Sequence, residues 1–270
     1  MREVIVSADD FGLSVEVNEA VELAHRQGIL RAASLMVAGP AAADAVRRAR
    51  ALPGLGVGLH LVVIEGPAVL PESVPGGQFG SDQLRLGFEY FFSPAARRRV
   101  RAEIRAQYRG FASTGLTLDH ANAHKHMHLH PTVGRLLIEI GREFGLRAVR
   151  IPAEPPDVMR ACGAPQGPAA QALYYWTRLL RAQGRHAGLR MNDHVFGVAW
   201  SGHMGSTKLL RLAPLLPPGL SEIYFHPATV HSAALARLMP GYEHRGELDA
   251  LLDPAVRTAL GANAVLRGWT

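Results

Sequence analysis

The stretch 117–131, TLDHANAHKHMHLHP, carries His124, His126, His128 and His130 at every second position. A strand points alternate side chains to one face, so an extended run here would aim several imidazoles together. Unpaired imidazoles on one face cost desolvation, and repulsion once protonated, which a bound ion relieves. Three other places offer comparable donors: SADDFG with Asp9 and Asp10, VGLHL with His60, and IYFHPA with His226. Two neutral imidazoles and one carboxylate hold a divalent cation and leave positions open for water and substrate, as a hydrolytic centre requires. Such an ion lowers the pKa of bound water toward about 7. Neighbouring side chains on a strand diverge, so one of Asp9 and Asp10 is expected to ligate and the other to act as base. The leaving group needs an acid from the opposite side, and His226, on a distant strand, can supply it. Taken singly, His60 between two leucines reads more readily as a core histidine than as a ligand, and DDFG equally well as a capped turn. Four strand ends together are hard to explain by packing.

The elements that must position these residues follow from periodicity. Strands are expected at 3–8, 32–37, 55–63, 116–121, 147–151, 194–200, 221–226 and 263–268, with amphipathic segments between most of them. Ser14 is placed to cap a helix ending at Gly28, and Pro131 to open one running to Phe144 with Gly145 behind it. This βα alternation predicts an α/β fold with parallel strands, a TIM-like (β/α) barrel of seven or eight strands, its site at the strand C-termini. Residues 1–270 read as one domain, with 64–93 as a lid-like insertion and 152–170 as a second irregular stretch.

Composition narrows the class. The 48% hydrophobic and 19% charged content is that of a globular chain. The net charge of +6 is almost all arginine, since Lys125 and Lys208 are the only lysines. The densest basic cluster, Arg97 to Arg105, has helical spacing and reads as a solvated face, so no nucleic-acid partner is expected. Cys162 stands alone, which excludes an intramolecular disulfide. The acidic residues at positions 3, 9 and 10 do not suit a signal peptide, and a cytoplasmic chain is expected.

SADDFGLS, GVGLHL, NAHKHMHLHP and FHPA, in this order, resemble the YdjC-like carbohydrate deacetylases, as do VRIP at 149–152, NDHVFG at 192–197 and the late YEHRGELDALLDP. The resemblance runs nearly end to end. It implies a (β/α) barrel that removes an acetyl group from an N-acetylated amino sugar with one divalent metal ion, zinc, magnesium and cobalt being indistinguishable. By motif, it makes Asp10, His60 and His124 the metal ligands, Asp9 the general base and His226 the general acid. His126 and His128 would orient substrate or the ligand shell, and His130 would turn away. Arg150 could pair with Asp9, and Asp193 could bind sugar hydroxyls; both are weaker substrate-site expectations. The usual D-S-H-x-H-x-H form has Asp where this chain has Asn122, and Asp119-His120 lies just upstream. The form DHANAHKHMHLHP is similar to the branch associated with hopanoid synthesis, which implies N-acetylglucosamine on a triterpenoid polyol and a peripheral contact at the inner membrane face. A homodimer is left open. The alternatives are a chitooligosaccharide deacetylase, a phosphoesterase with two or three metals, a non-haem iron oxygenase and a metal sensor or store. The oxygenase triad belongs with antiparallel strands and a close His-x-Asp pair; a sensor leaves the Asp pair and His226 unexplained.

Overall fold

The computed structural model describes residues 1–269. Its central strand, β1 (Arg2–Phe11), is buried from Val4 onward, as expected of a parallel strand covered on both faces. Around it run β2 (Ala32–Leu35), β3 (Gly56–Leu61), β4 (Ala121–Ala123), β5 (Ala148–Val149), β6 (Arg190–Met191), β7 (His194–Phe196), β8 (Gly219–Phe225) and β9 (Val265–Arg267). The order is β6-β5-β4-β3-β2-β1-β8-β7, parallel throughout. One edge of β1 pairs first with β9, through Glu3–Ile5, and then with β2, from Ser7. The sheet curls as a (β/α) barrel does. Across its two ends, Val195 N–H donates to Ala153 C=O at 3.0 Å, and the Asn192 amide bonds both backbone groups of Ile151.

The flanking helices form largely where capping and periodicity place them. In α1 (Val15–Gln27) the Ser14 hydroxyl accepts from Val17 N–H. Pro131 opens α5 (Pro131–Glu143), and Gly145 follows with φ 82°, a left-handed conformation that glycine adopts without strain. Between them lie α2 (Ala42–Arg50), α3 (Gln83–Phe92) and α4 (Pro94–Ser113). The arginine face of α4 is not simply solvated, because Arg101 and Arg105 reach Glu139 and Glu143 of α5. Beyond α5 come α6 (Pro156–Ala161), α7 (Pro168–His186), α8 (Ser206–Leu212), α9 (Ala233–Leu238), α10 (His244–Leu252) and α11 (Pro254–Asn263). Segment 64–93 contains a short antiparallel ladder, Gly66–Pro67 against Gln78–Phe79, and then α3.

Two local expectations fail for one reason. The strand expected at 116–121 begins only at Ala121, and the histidine run is a 3-10 turn, His124–Leu129, with no strand alternation. Lys125 and His126 take φ of 50° and 53°, which turns the chain at once toward α5. His130 serves as the cap of that helix, its Nδ1 accepting from Thr132 N–H. The imidazoles therefore radiate from a turn.

The C-terminus of α1 packs tightly on α10. A Cβ on Gly28 would lie 2.3 Å from Leu251 C=O and 2.6 Å from Ala24 C=O, so Gly28→Ala is expected to destabilise the protein by about 1–3 kcal/mol. Urea unfolding checks this, and an unchanged midpoint would show that α10 can retreat.

Candidate metal and catalytic site

At β1 the register against β2 shifts by one residue between Ala8 and Phe11. This bulge holds Asp9 and Asp10, and Asp10 has φ 62°. A bulge re-aims side chains that a regular strand would send apart, and a left-handed non-glycine residue marks stored strain of the kind found at functional sites. Both carboxylates consequently face His60, on β3: Asp10 Oδ1 lies 3.3 Å from His60 Nε2, and Asp9 Oδ1 lies 3.9 Å from His60 Nδ1. His124 closes the group, its Nδ1 3.2 Å from Asp10 Oδ1 and 3.4 Å from His60 Nε2.

Asp10, His60 and His124 can place one ligand atom each within 4.8 Å of one another, and they are the one such group among the described residues. Asp10 supplies the test of fit. Both of its oxygens are buried and accept no hydrogen bond, a costly condition for a carboxylate unless a cation sits beside it. Burial would raise its pKa, but the His124 and His60 imidazoles outweigh that and hold it well below the usual carboxylate range. His60 is raised in turn: burial lowers it, and Asp9 and Asp10 more than compensate. An anionic donor with open lone pairs between two imidazoles suits a divalent ion.

Asp9 is held differently. Its Oδ1 accepts from Asn122 Nδ2 at 3.0 Å and from Arg150 Nη2 at 2.9 Å, and its Oδ2 accepts from Arg150 Nη1 at 2.5 Å. Burial opposes ionisation, yet Arg150 dominates and keeps Asp9 charged far below its ordinary range. Arg150 is itself fully buried and also bonds Glu222 and Ser7. It therefore sits beneath Asp9, and the expectation that it contacts substrate is corrected to a support role.

The site opens into a cavity of about 730 Å³ lined by Asp9, Asp10, His60, His124, His126 and His226, with Tyr224 and Tyr242. His226 follows β8 and stands between the rings of Tyr224 and Tyr242, at centroid distances of 5.5 and 5.1 Å. Burial lowers its pKa against the pull of Asp10 and Asp9. Its backbone N–H donates to Glu247, and its C=O accepts from His244 Nδ1. His126 bonds the Tyr224 hydroxyl at 3.0 Å, and burial lowers its pKa to about 3, so the ring is neutral.

Two expected site residues are elsewhere. His128 is buried and bonds Arg150 C=O at 3.1 Å, away from the cavity. Asp193 lies at the opposite end of the barrel, where its carboxylate accepts from Leu220 N–H at the start of β8. The turn after His124 carries His128 onto the Arg150 carbonyl, and Asp193 stands at the level where β8 begins, away from the strand C-termini. Several contributors had no motif of their own. Tyr224 shares the end of β8 with His226, and its ring lies 4.7 Å from the Arg150 guanidinium; Glu222 and Glu247 acquire their roles only through packing.

A curled parallel βα sheet with a carboxylate–imidazole donor group at its C-terminal mouth defines a (β/α) barrel protein with a candidate cation site. The chain belongs to the YdjC-like protein family, whose profile matches residues 3–262. It is 36% identical over 154 residues to a carbohydrate deacetylase of Brevibacillus brevis, covering 57% of this chain and 59% of that protein. It is 28% identical over 231 residues to one of Thermoanaerobacter pseudethanolicus, covering 85% and 82%. A Vibrio cholerae carbohydrate deacetylase is 34% identical over 144 residues, covering 53% and 56%. The matched region thus spans little more than half of two of these three relatives. A crystal structure of a proposed cellobiose-phosphate cleavage protein of Enterococcus faecalis V583 shares the fold, with TM-score 0.77 at 21% identity, covering 99% of this chain and 97% of that one.

Two outcomes follow from the buried charges. Arg150→Met strands Asp9 and Glu222 without their counter-charge, and a loss of about 3–5 kcal/mol is expected in urea unfolding; a loss below about 1 kcal/mol would show that the cluster relaxes. Glu247 is raised by burial from 4.5 to about 7. Between those values the unfolded chain releases this proton and the folded chain keeps it, so the Glu247 contribution to stability falls as pH rises, by about 3 kcal/mol in all. The stability of the wild type relative to Glu247→Gln should therefore decline from pH 4.5 to 7, and a flat difference would contradict the shift.

Proposed function

We propose that the protein is a metal-dependent deacetylase that hydrolyses the N-acetyl group of an amino sugar. The observation that carries this reading is the orphaned Asp10 carboxylate between His60 and His124, beside an ionised Asp9 and a cavity that also admits His226. Membership in the family and the carbohydrate deacetylases among its relatives support the substrate class.

Asp10, His60 and His124 would hold the ion, which supplies Lewis-acid activation of water and of the amide carbonyl when bound. Asp9 takes the proton from the attacking water. Arg150 keeps Asp9 charged at every working pH and holds its carboxylate in place to receive that proton. His226 gives a proton to the departing amine nitrogen. The Tyr224 and Tyr242 rings confine the His226 imidazole so that its proton meets that nitrogen, and acetate and the free amine leave. A single ion accounts for the donors better than the two or three of a phosphoesterase, since the described residues form one ligand group.

The finer substrate reading is an N-acetylglucosaminyl lipid of the hopanoid type, met at a membrane surface. It is supported by the outer face of α3. Leu86 packs on the core and Tyr90 bonds Val63 C=O, whereas Leu84, Phe88 and Phe92 are 87%, 65% and 66% exposed. Phe91 rests on the His130 ring. This apolar ridge follows directly on Phe79–Ser81, which line the cavity. No helix among the described residues is long and apolar enough to cross a membrane, so contact would be peripheral.

Metal content measured together with acetate release tests the chemistry. One ion per chain is expected, lost with activity in Asp10→Ala, His60→Ala and His124→Ala. Asp9→Asn and His226→Ala should keep the ion and lose about 10²-fold to 10⁴-fold in turnover, and His226→Ala should also lose the alkaline limb of the rate profile. Loss of the ion in His226→Ala would make that residue a ligand. For the substrate, the enzyme should prefer the lipid-linked sugar to free chitobiose, and Phe88→Ser with Phe92→Ser should erase the preference without changing metal content. Equal rates on both substrates in the wild type would favour a soluble chitooligosaccharide substrate.

A further inference from the structure

The Asp119-His120 pair finds no place in the chemistry above, yet it is buried behind it. His120 is 0% exposed and Asp119 5%. Asp119 Oδ2 lies 3.0 Å from His120 Nδ1, His120 Nε2 lies 3.0 Å from Ser34 Oγ, and Ser34 Oγ lies 3.0 Å from Asn122 Nδ2. Asn122 then reaches both halves of the site, with Nδ2 on Asp9 Oδ1 and Oδ1 2.7 Å from His60 Nδ1.

One assignment of donors and acceptors satisfies every link of this chain. Asp119 accepts from His120 Nδ1–H, and with Nε2 as the accepting nitrogen Ser34 donates to it. The Ser34 oxygen can then only accept from Asn122, as can Asp9. Both demands fall on the Asn122 NH₂ group, which forces its carbonyl oxygen toward His60. His60 must therefore carry its proton on Nδ1 and present the Nε2 lone pair to Asp10 and His124. A metal-bound imidazole needs this tautomer, and it is usually set by the partner of the other nitrogen.

The fold makes room for the chain at a cost. A Cβ on Gly56 would lie 2.6 Å from the Asp119 carboxylate, and one on Gly58 would lie 2.6 Å from the His120 ring. Both glycines precede His60 on β3, so the strand that carries the ligand is thinned where the pair packs. Trp269 stacks on the other side of His120, with centroids 5.4 Å apart and planes at 20°. Four buried polar groups linked in line, the last branching to a ligand and to a base, make an expensive way to fill a core.

We propose that Asp119, His120 and Ser34 are positioning residues for the ion site, fixing through Asn122 the tautomer and ring orientation of His60. The proposal rests on the reading of Asp10, His60 and His124 as the ligand set. It is tested by Co²⁺ affinity, measured by competition with a chromogenic chelator, in the wild type, Ser34→Ala, His120→Phe, the double variant and Tyr108→Phe. The last removes an equally buried hydrogen bond, to Leu137 C=O, outside the chain. Ser34→Ala and His120→Phe should each bind Co²⁺ about 10-fold to 100-fold more weakly. The double variant should bind no more weakly than the worse single one, because one break already frees Asn122. Tyr108→Phe should bind as the wild type does. Wild-type affinity in a folded Ser34→Ala protein would overturn the proposal even if His120→Phe fails to fold, and so would a loss matched by Tyr108→Phe. A wild-type protein that binds no Co²⁺ would instead remove the ligand set itself, and the proposal with it.

Discussion

Arg150 leaves the end of β5, crosses the barrel interior and makes five hydrogen bonds, to Ser7 and Asp9 of β1 and to Glu222 of β8, with none of its surface exposed. A guanidinium is the cation suited to this, because its planar fork meets two carboxylates at once and stays charged when buried. Two of the three strands it joins, β1 and β8, are also those whose ends bear Asp9, Asp10 and His226. Burying such a group without partners would be prohibitive, and removing either carboxylate would leave a charge uncompensated. The strands therefore cannot shift relative to one another without breaking the cluster, and the candidate site inherits that rigidity.

The same accounting explains why the mouth of the barrel suits a cation. Arg150 serves two carboxylates, Asp9 and Glu222. Asp10 adds a further buried negative charge, and its neighbours are imidazoles, which are neutral when they ligate. The interior is thus short of positive charge at the place where donor atoms converge. Burial makes that shortage costly and confines the remedy to something that enters from the cavity. Asp9 and Asp10, adjacent in the chain, have opposite conditions: one is engaged by Arg150 and Asn122, and the other has two open oxygens. The division of labour proposed for them rests on these surroundings, since the side chains are identical.

Much of the barrel was legible beforehand. β1, β2, β3, β8 and β9 fall within or against their expected spans, and the caps at Ser14 and Pro131 hold. These are features of hydrophobic period and turn chemistry, which act over a few residues. The failures lie where a local rule met a distant contact. Alternation at His124–His130 suggested a strand, but α5 must begin at Pro131 over the barrel rim, and the chain turns at Lys125 and His126. Divergence of Asp9 and Asp10 follows for a regular strand, and the bulge against β2 cancels it. Asp193 and His128 looked equivalent to the other polar residues until the barrel assigned them an end and a side.

Residue type and order alone determined that a carboxylate pair, an isolated histidine, a histidine cluster and a late histidine would stand at successive strand ends of a parallel α/β chain. That much is set by side-chain chemistry and short-range periodicity. Which carboxylate is left open, which imidazole turns inward, and what holds His60 in its ring orientation were decided by the tertiary structure. Those outcomes depend on Arg150, Asn122, Ser34 and Glu247, which come from separate strands or a helix and meet only when the sheet curls. Hydrogen bonds between residues 21 to 141 positions apart leave no periodic trace in a sequence, because their geometry exists only after the chain has closed on itself.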